Sequence, residues 1–178
     1  MKPLLHKFDC PSHEGRECAC GPIIHETAVI GDQPEARDTM WFDIGHRPVI
    51  GRGTRINSFV TVDAGTERTT RIGSGVLLMT KCHIGHDCII ADGCEIASGA
   101  VLGGWVELGE NVRIGLNATV KPRIKIGAGA RIGAGAVVVK DVPAGETWVG
   151  NPAREIGAAR NVDPLWPEWW DNCHGVAA

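Results

Sequence analysis

Several features are missing from the chain, and each absence narrows what it can be. The opening residues, MKPLLHKFDCP, contain no apolar stretch long enough for a signal peptide or a membrane span, so the expected compartment is the cytoplasm. Neither sign of charge dominates. The formal net charge is −3, which gives no broad electrostatic reason to expect nucleic acid or an anionic membrane as a partner. An even cysteine set is also lacking. Seven cysteines in a chain without a leader read as free thiols rather than a disulfide framework. Tyrosine is absent, yet glycine occurs 24 times in 178 residues. That length suits one ordinary domain, and the question is whether the glycines are periodic.

They are. From Ile72 to Val138 every sixth residue is aliphatic: Ile72, Leu78, Ile84, Ile90, Ile96 and Leu102, then Leu108, Ile114, Val120, Ile126, Ile132 and Val138. The next residue is usually glycine or alanine. Four places after each aliphatic stands a second small or branched residue, the series running from Val76 through Cys82, Cys88 and Cys94 to Val142. A helix would send side chains six apart to different faces, and a plain strand would bury every second residue. A strict period of six instead suits short flat strands joined by tight corners, with small residues beside them. Three strands close a coil, so residues eighteen apart stack at about 4.8 Å. The expected fold is all-β, a left-handed parallel β-helix of about six coils over 24–143.

Two breaks in the period predict loops near 35–43 and 66–71, where a rigid solenoid carries either partner contacts or tolerated insertions. Before the helix, 1–23 reads as an irregular segment bearing Cys and His. After it, 144–178 reads as a capping tail in which Trp166, Trp169 and Trp170 serve as packing anchors or subunit contacts.

Cys82, Cys88 and Cys94 fall in the second inward column on successive faces, so their sulfurs are not gathered about one point. They read as buried, inert thiols. Outside the repeat, His6, Cys10, His13, Cys18 and Cys20 offer soft ligands for a zinc clip, although C-x2-H-x4-C-x-C matches no standard module. His86 follows the inward Ile84 by two places, where side chains leave the core, and Asp87 follows it. Eighteen residues on stands Gly104, which leaves space above the histidine and exposes a backbone N–H to an incoming carbonyl. A neighbouring carboxylate fixes an imidazole's tautomer and raises its basicity. The plain alternative is an exposed histidine beside an ordinary aspartate.

From about Ile50 to Ile156 the chain resembles the hexapeptide-repeat acyltransferases, and within them the sialic-acid O-acetyltransferase and bacillosamine-type sugar N-acetyltransferase branch. GHDCIIADGCEIASGAVLGGWVELGENVRIGLNATVKP carries the resemblance, together with the closing VVVKDVPAGETWVGNPAREI. The resemblance implies that His86 is a general base, that Asp87 orients its ring, and that Gly104 offers its N–H to the thioester carbonyl. It further implies a homotrimer with acetyl-CoA in the groove between coils. Gly104, Gly115, Asn117, Ala134 and Gly135 are then candidates for CoA contact, and the acceptor is a sugar or nucleotide-sugar. The N-terminal α/β nucleotide-sugar domain of those enzymes has no counterpart here, and Trp105 replaces a smaller residue beside the expected oxyanion site.

Three other readings stay open. MTKCHIGHDC also resembles the acyl-ACP-dependent acyltransferases of lipid A synthesis. A γ-class carbonic anhydrase would place zinc on His46, His83 and His86, although that class spaces two of its histidines five apart rather than three. A non-catalytic β-helix scaffold would keep the fold without the chemistry.

Overall fold

The computed structural model describes residues 23–25, 27–30 and 47–158. Among them every regular element is a short β-strand, and the strands form three sheets that are the sides of a parallel β-helix of about six turns. The first side runs β1 (Ile23–Ile24), β4 (Arg55–Ile56), β7 (Leu77–Leu78), β10 (Glu95–Ile96), β13 (Arg113–Ile114) and β16 (Arg131–Ile132). The second includes β2 (Val29–Ile30), β5 (Thr61–Val62), β8 (His83–Ile84), β11 (Val101–Leu102), β14 (Thr119–Val120) and β17 (Val137–Val138). The third comprises β3 (Val49–Ile50), β6 (Arg71–Ile72), β9 (Ile89–Ile90), β12 (Glu107–Leu108) and β15 (Lys125–Ile126).

The repeat explains this architecture residue by residue. All twelve aliphatics from Ile72 to Val138 are buried, as is every member of the second inward column from Val76 to Val142. Each buried Leu or Ile contributes roughly 1.5–3 kcal/mol, and truncating one to alanine costs about 2–5 kcal/mol. From Ile72 to Ile132 the corner bends three residues after each inward aliphatic, where the backbone is left-handed. Glycine or asparagine often holds that place, but Asp87, Trp105 and Arg123 hold it at φ 60°, 58° and 66°. The small residue just after the aliphatic answers a different need. A Cβ on Gly85 would lie 2.8 Å from the backbone of Gly103, so coils approach too closely there for a side chain.

Register accounts for both breaks in the period. From β6 to β17, stacked partners are eighteen apart, as in Arg71↔Ile89 and His83↔Val101. Val49↔Arg71, Arg55↔Leu77 and Thr61↔His83 are instead 22 apart, so four extra residues enter between β5 and β6. At the first coil Ile24 pairs with Ile56 and Ile30 with Val62, which makes Val49–Ile50 its third side. Residues 31–46, including Ile44 and the expected 35–43 loop, lie outside the described residues. So do the N-terminal Cys/His cluster and the three C-terminal tryptophans. At the other end, β18 (Glu146–Val149) adds in parallel to β16, and β19 (Arg154–Ala158) pairs antiparallel to β18.

Candidate active site

The corner after β8 carries His86 and Asp87 side by side. His86 is about one-third exposed, whereas the Asp87 side chain is fully shielded from solvent. Burial alone would push the Asp87 carboxyl up, but the donors around it win and hold it well below the ordinary carboxylate range. Its Oδ1 accepts three successive backbone N–H groups, from Thr66 at 3.0 Å, Glu67 at 2.9 Å and Arg68 at 2.6 Å. Its Oδ2 accepts the Thr66 hydroxyl at 2.5 Å and His86 Nδ1 at 2.7 Å. An ionised carboxylate can only accept, so Nδ1 carries the proton and Nε2 is left with a free lone pair.

The four-residue insertion therefore sits at the catalytic-looking corner, one coil below His86, and wraps the aspartate. The Thr70 hydroxyl accepts the Asp87 N–H at 2.9 Å, while Arg68 Nε donates to the Asp87 carbonyl at 2.6 Å. Arg68 then reaches Glu107 at 2.8 Å, and Lys125 lies 3.1 Å from the same carboxylate. These two cations hold the Glu107 carboxyl below its usual range, Arg68 contributing most. Sequence reasoning located the insertion but not its role. The signal was available: counting 22 back from His86 and Asp87 lands on Ala64 and Gly65, beside the loop.

Gly104 lies directly against the imidazole. A Cβ there would stand 2.6 Å from His86 Nε2 and 2.7 Å from Cε1, so only glycine leaves the ring its place. The Gly104 N–H has no acceptor among the described residues. Trp105 meets the imidazole edge-on, with ring centroids 4.3 Å apart and planes at 81°. The Arg123 guanidinium lies 4.2 Å over the Trp105 ring. His86 thus has Gly104 packed against its ring and Trp105 set at a right angle to it.

The remaining candidates gather elsewhere. Gly115 and Asn117 follow β13, and Ala134 and Gly135 follow β16, so they occupy the corner between the first and second sides. They stack on one another: a Cβ on Gly115 would meet the Ala134 nitrogen at 2.6 Å. His86 and Gly104 stand at the corner between the second and third sides, and one chain does not bring the two groups together.

Cys82, Cys88 and Cys94 are buried free thiols. Burial pushes Cys82 up to about 12 and the other two up to about 11, so none is a nucleophile at neutral pH. Among the described residues no three His, Cys, Asp or Glu side chains are grouped to hold a metal ion. His83 is engaged by Thr61 Oγ1 at 2.8 Å and lies 3.7 Å from Asp63. His46, the third histidine of the carbonic anhydrase reading, lies outside the described residues. No helix among those residues is long and apolar enough to cross a membrane.

Comparison with known proteins points one way. The bacterial transferase hexapeptide family (six repeats) matches residues 69–104 and 106–140. The acyl-[acyl-carrier-protein]–UDP-N-acetylglucosamine O-acyltransferase of Campylobacter curvus is 37% identical over 70 residues, covering 37% of this chain and 26% of that protein. The acetyltransferase domain of PglB from Neisseria gonorrhoeae, solved in complex with acetyl coenzyme A, superposes with a TM-score of 0.64 at 31% identity. That match covers 76% of this chain and 57% of the other. A mutant perosamine N-acetyltransferase from Caulobacter crescentus, in complex with CoA and GDP-perosamine, gives a TM-score of 0.65 at 28% identity over 78% of this chain and 57% of that one. The chain thus spans about a quarter of the curated relative and just over half of the solved structures.

Proposed function

We propose that this chain, which matches the bacterial transferase hexapeptide family over residues 69–104 and 106–140, transfers an acetyl or other acyl group from CoA to an amine or hydroxyl of a sugar or similar small acceptor. One observation carries this reading: the Nε2 of His86, oriented through Nδ1 by a buried carboxylate, packs against Gly104, where only glycine leaves the ring room and whose N–H has no acceptor among the described residues.

The chemistry follows from that arrangement. His86 Nε2 takes the proton of the acceptor amine or hydroxyl as the acceptor attacks the thioester carbonyl, while Asp87 stabilises the imidazolium that forms. The Gly104 N–H donates to the oxyanion of the tetrahedral intermediate. Collapse expels the CoA thiolate, which the imidazolium reprotonates. General-base and oxyanion contributions of this kind are each worth roughly 10²–10⁴-fold. Gly115, Asn117, Ala134 and Gly135 would contact CoA from a neighbouring copy, since one chain keeps them at another corner. The site is then completed in a homotrimer.

The solved relatives that bind CoA and GDP-perosamine favour a nucleotide-linked amino sugar as acceptor. A second reading has its own support: the Campylobacter relative takes its acyl group from an acyl carrier protein. Acetyl-CoA and an acyl-carrier-protein thioester, each offered with a panel of nucleotide sugars while free thiol is followed, distinguish the two. Thiol release that depends on acceptor with neither donor would overturn both.

A further inference from the structure

Charge is strongly segregated along the helix axis. Residues 82–112 contain Asp87, Asp92, Glu95, Glu107 and Glu110 but no Lys or Arg. Residues 113–140 contain Arg113, Lys121, Arg123, Lys125, Arg131 and Lys140 but no Asp or Glu. The boundary falls between Val112 and Arg113, half a coil beyond Gly104, so the stack changes from acidic to basic just past the residues around His86.

Arg123 lies one coil on from Trp105, and it is held in an unusual way. Its guanidinium lies 4.2 Å over Trp105, whose ring meets the His86 imidazole at 4.3 Å. Stacking occupies a guanidinium face but leaves its N–H groups pointing outward in the plane, the geometry that grips a phosphate with two parallel bonds. No carboxylate claims those donors. Two nearby acids are committed elsewhere: Glu107 to Arg68 and Lys125, and Asp141 to the Lys125 backbone N–H at 2.8 Å. Arg123 has no ion pair among the described residues. A surface arginine usually gains little from being fixed, so a fixed, exposed and unpaired one beside a base is organised for a ligand.

We propose that Arg123, clamped on Trp105, binds a phosphate group of the substrate that enters beside His86. The inference rests on the acyl-transfer reading and adds to it a specificity residue and an anionic substrate. That phosphate belongs either to the diphosphate of a nucleotide-linked acceptor or to CoA. On this account Trp105 has two roles: it positions Arg123 and packs against the His86 ring.

Titration calorimetry of the full-length chain with UDP, GDP, CoA and pantetheine, on wild type, Arg123→Gln and Arg123→Lys, tests the proposal. Arg123→Gln should weaken one phosphate-bearing ligand by about 10-fold or more, with Arg123→Lys recovering only part, because an ammonium cannot make the paired bonds. Pantetheine, which carries no phosphate, should bind all three proteins equally. Weakening of UDP or GDP assigns the phosphate to the acceptor; weakening of CoA alone assigns it to the donor. Unchanged binding of all four ligands to Arg123→Gln overturns the inference while leaving acyl transfer intact. Wild-type protein that binds none of them and releases no thiol defeats the acyl-transfer reading itself.

Discussion

A single methyl group at position 104 should disable the site while sparing the fold. The Cβ of Gly104→Ala would lie 2.6 Å from His86 Nε2, against an ordinary contact of about 3.4 Å, so the ring must retreat by roughly 0.8 Å. Asp87 cannot follow, because its carboxylate is held by Thr66, Glu67 and Arg68 of the inserted loop. The added methyl presses on Nε2, Cε1 and Cδ2 together, so the ring is pushed across its own face, which tilts Nδ1 off the line to Oδ2 and carries Nε2 away from the acceptor. A misplacement near 1 Å costs about 10²-fold in rate, or roughly 2.7 kcal/mol. The Gly104 backbone is not left-handed, so alanine adds no conformational strain. The expected outcome is a 10²-fold fall in kcat with a nearly unchanged melting temperature. It is read by thiol release under saturating acceptor, alongside thermal melting. A Gly104→Ala protein with wild-type kcat would refute the placement of the base.

Further outcomes follow from the same geometry. Asp87→Ala removes the acceptor of four donors from the inserted loop and should cost about 3 kcal/mol in urea unfolding, as buried donors lose their partner. It should also expose the loop to trypsin at Arg68. Because the folded Asp87 carboxyl lies below its unfolded value near 3.9, its contribution to stability is present above about pH 4 and is lost as pH falls through the folded value. The stability gap between wild type and Asp87→Ala should therefore narrow on acidification, and a gap constant from pH 7 to pH 2 would contradict this. Cys82, Cys88 and Cys94 should resist iodoacetamide in the native state, so mass spectrometry should find them unlabelled until the chain is denatured. Their raised values mean that stability holds below the unfolded thiol range near 8.5 and declines as pH rises toward about 11–12.

The repeat was legible because one rule acts at every coil. Ile84, Ile90 and Ile96 must point inward, and Cys82, Cys88 and Cys94 fall with them into the second column, which also accounts for their burial. His86 and Gly104 could be paired by counting eighteen, since no insertion separates their coils. What the period could not show was the cap on Asp87. Thr66 and Arg68 belong to the stretch where the repeat fails, and their contacts depend on how four unpatterned residues fold back. The left-handed corners were partly hidden for a related reason: asparagine and glycine advertise that backbone, whereas Asp87, Trp105 and Arg123 adopt it under the constraint of the stack. The Trp105–Arg123 stack likewise joins residues eighteen apart that share no motif.

The most direct test of the central claim compares wild type with His86→Ala by calorimetry with acetyl-CoA and by thiol release over a nucleotide-sugar panel. The account predicts acetyl-CoA binding by both proteins and acceptor-dependent thiol release that falls by 10²-fold or more without the imidazole. Equal turnover by the two proteins would contradict it.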